Sequence, residues 1–222
     1  MCGRFTKMYT WEELIRPYRL TVPNIPSNLQ PRYNICPTTT IDAVVERDGN
    51  RGLEPMRWGL VPAWWNKPLK EMKMATFNAR AETVTEKPMF RSAFKNRCII
   101  PASGYYEWKT IDGQKQPYYF TDKQEPVLSI AGIWDQWTDR EDGKTLKSCA
   151  MLITSPNMFV EDYHDRMPVL LRPDQIDRWL SGESGKEVLV PAREEMLQAF
   201  PVSRRVSSSR ADESDHTLIA EI

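Results

Sequence analysis

Apolar and polar positions alternate with a period of two along much of this chain, in short runs separated by turn residues. Ile41, Ala43 and Val45 share one side of a strand expected over 41–47, which ends at Asp48-Gly49-Asn50 and leads to a second strand over 52–58. Further strands are expected over 98–101, 104–109, 117–121, 127–134 and 148–154, with hairpin turns at Ile111-Asp112-Gly113 and Glu141-Asp142-Gly143. Helical spacing is rarer. Thr10, followed three residues later by Glu13, reads as a capping box opening a short helix that Pro17 stops early. A helix over 88–96 sets Met89, Phe90, Ala93 and Phe94 on one face. Short helices are also expected after Pro156, at Pro173 and at Pro191, since proline suits a first helical turn.

Between these elements, 21–40 is rich in Pro, Asn and Thr and reads as an extended, ordered loop. The stretch 58–67 has too many breakers for a helix and too many aromatics for a featureless linker. Beyond Val206 the chain is rich in Ser, Arg and Asp, so a polar, loosely ordered tail is expected over 207–222. No repeat or linker divides 1–206. The pattern therefore describes a single α+β domain, mainly antiparallel β with short peripheral helices.

Composition narrows the chemistry. A chain of 222 residues can bury a substantial core, and its 17 prolines favour strands, turns and ordered loops over long helices. Lys plus Arg equals Asp plus Glu at 30 each, so any nucleic-acid site has to be a local patch rather than an overall basic field. Cys2, Cys36, Cys98 and Cys149 are far apart with no CxxC pair, and the histidines are His164 and His216 alone, so neither a metal site nor a cofactor is expected. There is no apolar N-terminal leader and no apolar run long enough to span a bilayer. With scattered cysteines, this points to a monomer in a reducing cytoplasm, away from membranes.

The opening Met1-Cys2-Gly3-Arg4-Phe5-Thr6 carries the most reactive candidate. A small second residue permits removal of the initiator methionine, which would leave Cys2 with a thiol and a free α-amine two carbons apart. Such a pair condenses with an aldehyde to an imine and then to a five-membered thiazolidine. The amine, with a pKa of about 8, is roughly one-tenth neutral at pH 7, and either group can also attack an acyl carbon.

Three other residues have both a plain and a chemical reading. Strand alternation in Tyr105-Tyr106-Glu107-Trp108 sets Glu107 opposite Tyr106 and Trp108. There it either faces water or, shielded by aromatics, becomes a proton donor near neutrality. His164 is the only histidine outside the tail, and is either structural or a proton shuttle. Asn78 either closes a turn or orients a nucleophile. Arg4, Arg80, Lys67, Lys70 and Lys73 lie close in sequence to Phe5, Trp58, Trp64, Trp65 and Phe77, a mixture suited to single-stranded nucleic acid, where cations follow phosphates and rings stack on bases.

In order and combination, the segments Met1-Cys2-Gly3-Arg4-Phe5, Arg32-Tyr33-Asn34-Ile35, Trp58-Gly59-Leu60-Val61-Pro62, Phe77-Asn78-Ala79-Arg80-Ala81-Glu82-Thr83, Gly104-Tyr105-Tyr106-Glu107-Trp108 and His164-Asp165-Arg166-Met167-Pro168 resemble the SRAP (SOS-response-associated peptidase) family, whose members protect abasic sites in single-stranded DNA. The tail after Val206 lies outside the resemblance, and Cys36 stands where a small residue such as alanine is expected. The resemblance implies a barrel-like core and a covalent bond from Cys2 to the sugar of an abasic site. It further implies that Asn78 holds the Cys2 amine, that Glu107 acts as general acid during sugar opening and that His164 moves protons. Arg4 and Arg80 are implied to grip flanking phosphates, and Trp64 and Trp65 to splay the strand. Two other readings stay open: an N-terminal-nucleophile cysteine peptidase or amidohydrolase with His164 as base, and a non-covalent single-strand binder.

Overall fold

The computed structural model describes residues 2–21 and 29–222. Met1 and residues 22–28, part of the expected extended loop, lie outside the described residues. In chain order the elements are β1 (Phe5–Lys7), α1 (Glu12–Tyr18), β2 (Arg32–Ile35), β3 (Thr40–Arg47), β4 (Asn50–Trp58), β5 (Asn78–Arg80), α2 (Pro88–Arg91) and β6 (Arg97–Ala102). There follow β7 (Gly104–Ile111), β8 (Gln114–Asp122), β9 (Leu128–Thr138), β10 (Thr145–Thr154), α3 (Met158–Glu161), β11 (Met167–Pro168), α4 (Pro173–Leu180) and β12 (Leu197–Pro201).

Five of these strands close a barrel. β4 pairs with β3, β3 with β6, β6 with β9 and β9 with β10, all antiparallel, and β10 returns to β4 in parallel through Ser148 and Cys149. Further along β10, Met151 to Ile153 take up β5 in parallel, and Ile153 and Thr154 take up β11. Closure leaves the barrel strands few open edges. A second, open sheet of order β12-β8-β7-β1-β2 packs against it. Alternation in β7 sorts its residues between two cores: Tyr105 joins the larger one shared with the barrel, while Tyr106 joins a smaller one on the outer face. The expectation of a single α+β domain with a barrel-like core holds.

The tail expected to be loosely ordered packs on that outer face. Val202, Val206 and Leu218 are buried with Tyr106 and Tyr119, and Val202 pairs with Glu221. Covering the second face of β7 is what lets that strand hold buried residues on both sides. Two other expectations change. Thr10 and Glu13 exchange the bonds of a capping box, but the helix runs past Pro17 to Tyr18, whose hydroxyl meets Ser129 Oγ at 2.9 Å. Pro17 lacks only one N–H near the end of a short helix, and the buried Tyr18 offsets that loss. Where a helix was expected at Pro191, a single 3-10 turn (Glu194–Met196) leads into β12, which bonds to β8 along its whole length.

Candidate active site

Trp58, fully buried at the end of β4, organises the approach to Cys2. Its ring meets Phe5 edge-on at 5.1 Å and Phe77 at 5.7 Å, and its Nε1 donates to the Phe77 carbonyl at 2.9 Å. The residues just before β1 and the start of β5 are thereby set side by side. Asn78, the first residue of β5, donates from Nδ2 to the Cys2 carbonyl at 3.0 Å. Its Oδ1 is buried and has no hydrogen-bond partner among the described residues.

The pairing of Phe5 with Tyr105 runs β1 antiparallel to β7, and continuing that register brings the residues before Phe5 alongside Glu107. Cys2 and Glu107 are each only 1% exposed. Burial pushes the Cys2 thiol well up, and Glu107 adds to the shift as a neighbouring negative charge and hydrogen-bond acceptor. Burial likewise raises the Glu107 carboxyl from an ordinary 4.5 to about 7. The site thus holds a protonated thiol beside an acid that is half-protonated at neutral pH.

His164 arrives from the other side. Asn157 Oδ1 caps α3 by accepting from the Val160 N–H at 2.8 Å, and the His164 amide closes the turn on the Val160 carbonyl at 2.9 Å. Tyr163 sits edge-on against Phe120 at 5.1 Å and Tyr118 at 4.8 Å. His164 Nε2 lies 3.7 Å from Glu107 Oε2. The Arg166 amide donates to Nδ1 at 3.0 Å, which places the proton of the neutral ring on Nε2, facing the carboxylate. Asp165 Oδ1, 3.0 Å from Nδ1, is ready to receive that nitrogen once the ring is doubly protonated. Burial lowers the His164 pKa, so the neutral form is the resting one.

Cys2, Asn78, Glu107 and His164 therefore converge; the four DNA-contact candidates do not join them in one cluster. Arg4 directs Nη1 to Asn34 Oδ1 and to the Val206 carbonyl, each at 2.8 Å, and Nη2 to the Ser207 carbonyl at 3.4 Å, so it ties the C-terminal segment to the site wall. Arg80 is exposed on the same face of β5 as Asn78. Trp64 and Trp65 sit on a loop fastened to β9 by the Ala63 amide on Asp135 (2.9 Å) and by Trp137 Nε1 on the Trp65 carbonyl (2.7 Å). Trp64 is 49% exposed, and the two indoles lie 6.3 Å apart.

Two neighbours escaped the sequence reading. Tyr105 shares the inner face of β7 with Glu107, and its hydroxyl is buried with no hydrogen-bond partner among the described residues. Its pKa is raised by burial first and then by the charges of Cys2 and Glu107. The two-residue spacing from Glu107 was the available signal. Arg166 bonds Glu82 Oε1 at 2.5 Å, fastening the His164 turn to the segment after β5. A separate groove of about 480 Å³ between β8 and α4 contains none of the site residues. Among the described residues no group of three or more His, Cys, Asp or Glu side chains is placed to hold a metal ion, and no helix is long and apolar enough to cross a membrane.

Known proteins resemble this chain over nearly its whole length. Residues 1–209 match the family model for SOS response associated peptidase (SRAP). The abasic site processing protein YoaM of Bacillus subtilis (strain 168) is 35% identical over 222 residues, covering 97% of this chain and 96% of its own. The abasic site processing protein YedK of Escherichia coli (strain K12) is 32% identical over 220 residues, with coverage of 94% and 95%. The abasic site processing protein HMCES of Xenopus tropicalis is 32% identical over 219 residues, covering 82% of this chain and 64% of its own. A crystal structure of a Bordetella bronchiseptica protein superposes with a TM-score of 0.78 at 26% identity, over 91% of this chain and 100% of that one. The chain belongs to the SOS response associated peptidase (SRAP) family.

Proposed function

We propose that this protein binds single-stranded DNA at abasic sites and, once Met1 has been removed, closes a thiazolidine between Cys2 and the lesion, shielding it. One juxtaposition supports this most: Cys2, bonded to Asn78, is buried against a carboxyl that titrates near neutrality. The abasic sugar is a cyclic hemiacetal. Glu107 gives its proton to the ring oxygen as the C1′–O bond breaks, the anomeric hydroxyl loses its proton, and the aldehyde forms. The Cys2 amine adds to C1′ and water leaves, giving an imine. The sulfur then adds to the imine carbon while the thiol proton passes to nitrogen, and the ring closes. The unpartnered Asn78 Oδ1 suits the N–H of the amine or of the closed ring, and His164 carries protons to and from Glu107. Arg80, and Arg4 where its tail contacts leave donors free, take the flanking phosphates, and Trp64 and Trp65 part the bases.

A cysteine hydrolase needs a thiolate made by a contacting histidine. Here the thiol is pushed up rather than down, and its titrating neighbour is a carboxyl, which weighs against that reading. Intact mass measurement of the protein mixed with abasic single-stranded DNA is the direct test. The expected product is the Met1-less chain plus DNA minus one water, absent in Cys2→Ala and borohydride-dependent in Cys2→Ser. A full yield of heat-stable adduct from Cys2→Ala would falsify the proposal.

A further inference from the structure

Beside the site, a second cleft of about 480 Å³ opens along β5, bounded by Asn78 and Arg80 on one side and by Met74, Lys87, Met89 and Phe90 on the other. Its size suits one small organic unit rather than a length of strand. Its floor and its rim differ in character. Met74 is 49% exposed, a large apolar side chain held in water, and Met89 and Phe90 are half-buried. Arg80 and Lys87 are exposed, and no carboxylate pairs with either among the described residues. Two unpaired cations above an apolar, polarisable floor fit a flat aromatic body carrying negative charge on one edge. Asn78 belongs to both places, since its Nδ2 is bonded to the Cys2 carbonyl while its side chain lines the cleft. Whatever occupies the cleft is therefore one residue away from the reacting atoms.

We infer that this cleft is the seat of the intact nucleotide immediately next to the lesion, its base lying on Met74 and Phe90 and its phosphate between Arg80 and Lys87. This rests on the proposed abasic-site function and adds a part to it. The missing base leaves nothing to stack at the lesion itself, so the neighbouring base is what fixes the abasic sugar against Cys2. Discrimination then comes from one nucleotide present beside one absent. Lys87 and Met74 are binding residues in this scheme, and neither takes part in the chemistry at Cys2.

The test reads non-covalent affinity. A fluorescein-labelled oligothymidylate carries one tetrahydrofuran spacer, which cannot open to an aldehyde, at the lesion position. Two further oligomers carry a second spacer on its 5′ or its 3′ side. For the native protein, the second spacer weakens binding roughly 5- to 50-fold on one side, and much less on the other. Met74→Ser weakens binding to the single-spacer oligomer and suffers little further loss from the second spacer on that side. Lys87→Gln lowers the salt slope of binding by about 0.7 without changing which side matters. Both positions are exposed, so the variants test the cleft and not the fold. Equal affinities for all three oligomers, or losses from Met74→Ser and the spacer that simply multiply, overturn the assignment. If the native protein forms no adduct with true abasic DNA while this pattern persists, the proposed crosslinking fails and the cleft stands.

Discussion

The Cys2 cluster and the rim around it are built on opposite principles. Cys2 and Glu107 are 1% exposed, whereas Trp64 and Met74 are 49% exposed and Arg80, Lys67 and Lys70 lie in solvent. In the dry region each polar group acts on the next: burial raises both the thiol and the carboxyl, and a shift in one is felt by its neighbour. On the rim, groups are screened and nearly independent, and an ion pair there, Lys67 with Glu71 at 3.9 Å, is half in water and contributes little. Under the proposed function, the inner region sets the rate and the pH range of the chemistry, and the outer one sets affinity. Substitutions inside should be large and interdependent; those outside should be modest and additive.

Glu107→Gln puts the sharpest pressure on this division. Under the proposed reaction, adduct formation with abasic DNA requires Glu107 protonated, which fades above about 7, and the Cys2 amine neutral, which grows toward about 8. The rate should follow a bell between those values. The variant should lose roughly 100-fold or more at pH 7 and keep only the rising limb. Stability should move the other way. Below about 4.5 the carboxyl is protonated in both folded and unfolded chains and costs nothing; between 4.5 and about 7 only the unfolded chain ionises, so stability falls as pH rises, and above about 7 the cost is constant. Glu107→Gln should therefore raise the unfolding free energy from urea titration at pH 8 by on the order of 2 to 3 kcal/mol, and change it little at pH 4. A variant with an unchanged pH profile and no gain at pH 8 would show that the carboxyl is an ordinary one.

How much of this was readable beforehand depends on whether the determining contacts were local. The strands β3 and β4 follow from alternation, and β7 to β10 from short apolar runs, buried on both faces over much of their length, with Asp-Gly turns inside the β3–β4, β7–β8 and β9–β10 hairpins. The opposite faces of Tyr106 and Glu107 follow from the same rule. By contrast β5 and β12 are three and five residues long and exist through pairing with β10 and β8, which no periodicity records. The barrel closes because β10 accepts β4 and β9 on its two edges, a long-range fact. The polar tail reads as loose because its apolar content is small, yet Leu218 is buried in the outer core with Ala211 and Ile219 packed against it, while Arg4, Arg32 and Trp108 hold the backbone and side chains around them. Within the site, Cys2, Asn78, Glu107 and His164 were visible as residue types, whereas the shifts that give them character arise only from burial.

Arg4 sits on the boundary between the two regions, and pairing it with Arg80 shows where that boundary runs. Both are implied by the family resemblance to grip phosphate, but Arg4 satisfies the carbonyls of Val206 and Ser207 and the Asn34 amide oxygen, while Arg80 is exposed and has no ion pair among the described residues. Arg4→Ala should therefore lower stability by about 1 to 3 kcal/mol, since its removal leaves part-buried acceptors without a donor. Arg80→Ala should leave the melting temperature within a degree or so and instead weaken single-strand binding and flatten its salt dependence. Equal melting temperatures for the two variants would mean that the tail contacts of Arg4 do not stabilise the fold.

The smallest effect belongs to the lysines beyond the tryptophans. Lys67 is 59% exposed and its Glu71 partner 49%, so breaking their pair alters stability by no more than a few tenths of a kcal/mol. If the rim acts only through phosphate neutralisation, Lys67→Gln and Lys70→Gln should each reduce the slope of log affinity against log salt by at most about 0.7, and the double variant by the sum. The adduct rate at saturating DNA should not change, because among the described residues neither lysine bonds to the buried cluster. A fall in that saturating rate would join rim and interior into one unit, and the contrast between an interdependent dry site and an additive wet border would no longer describe this protein.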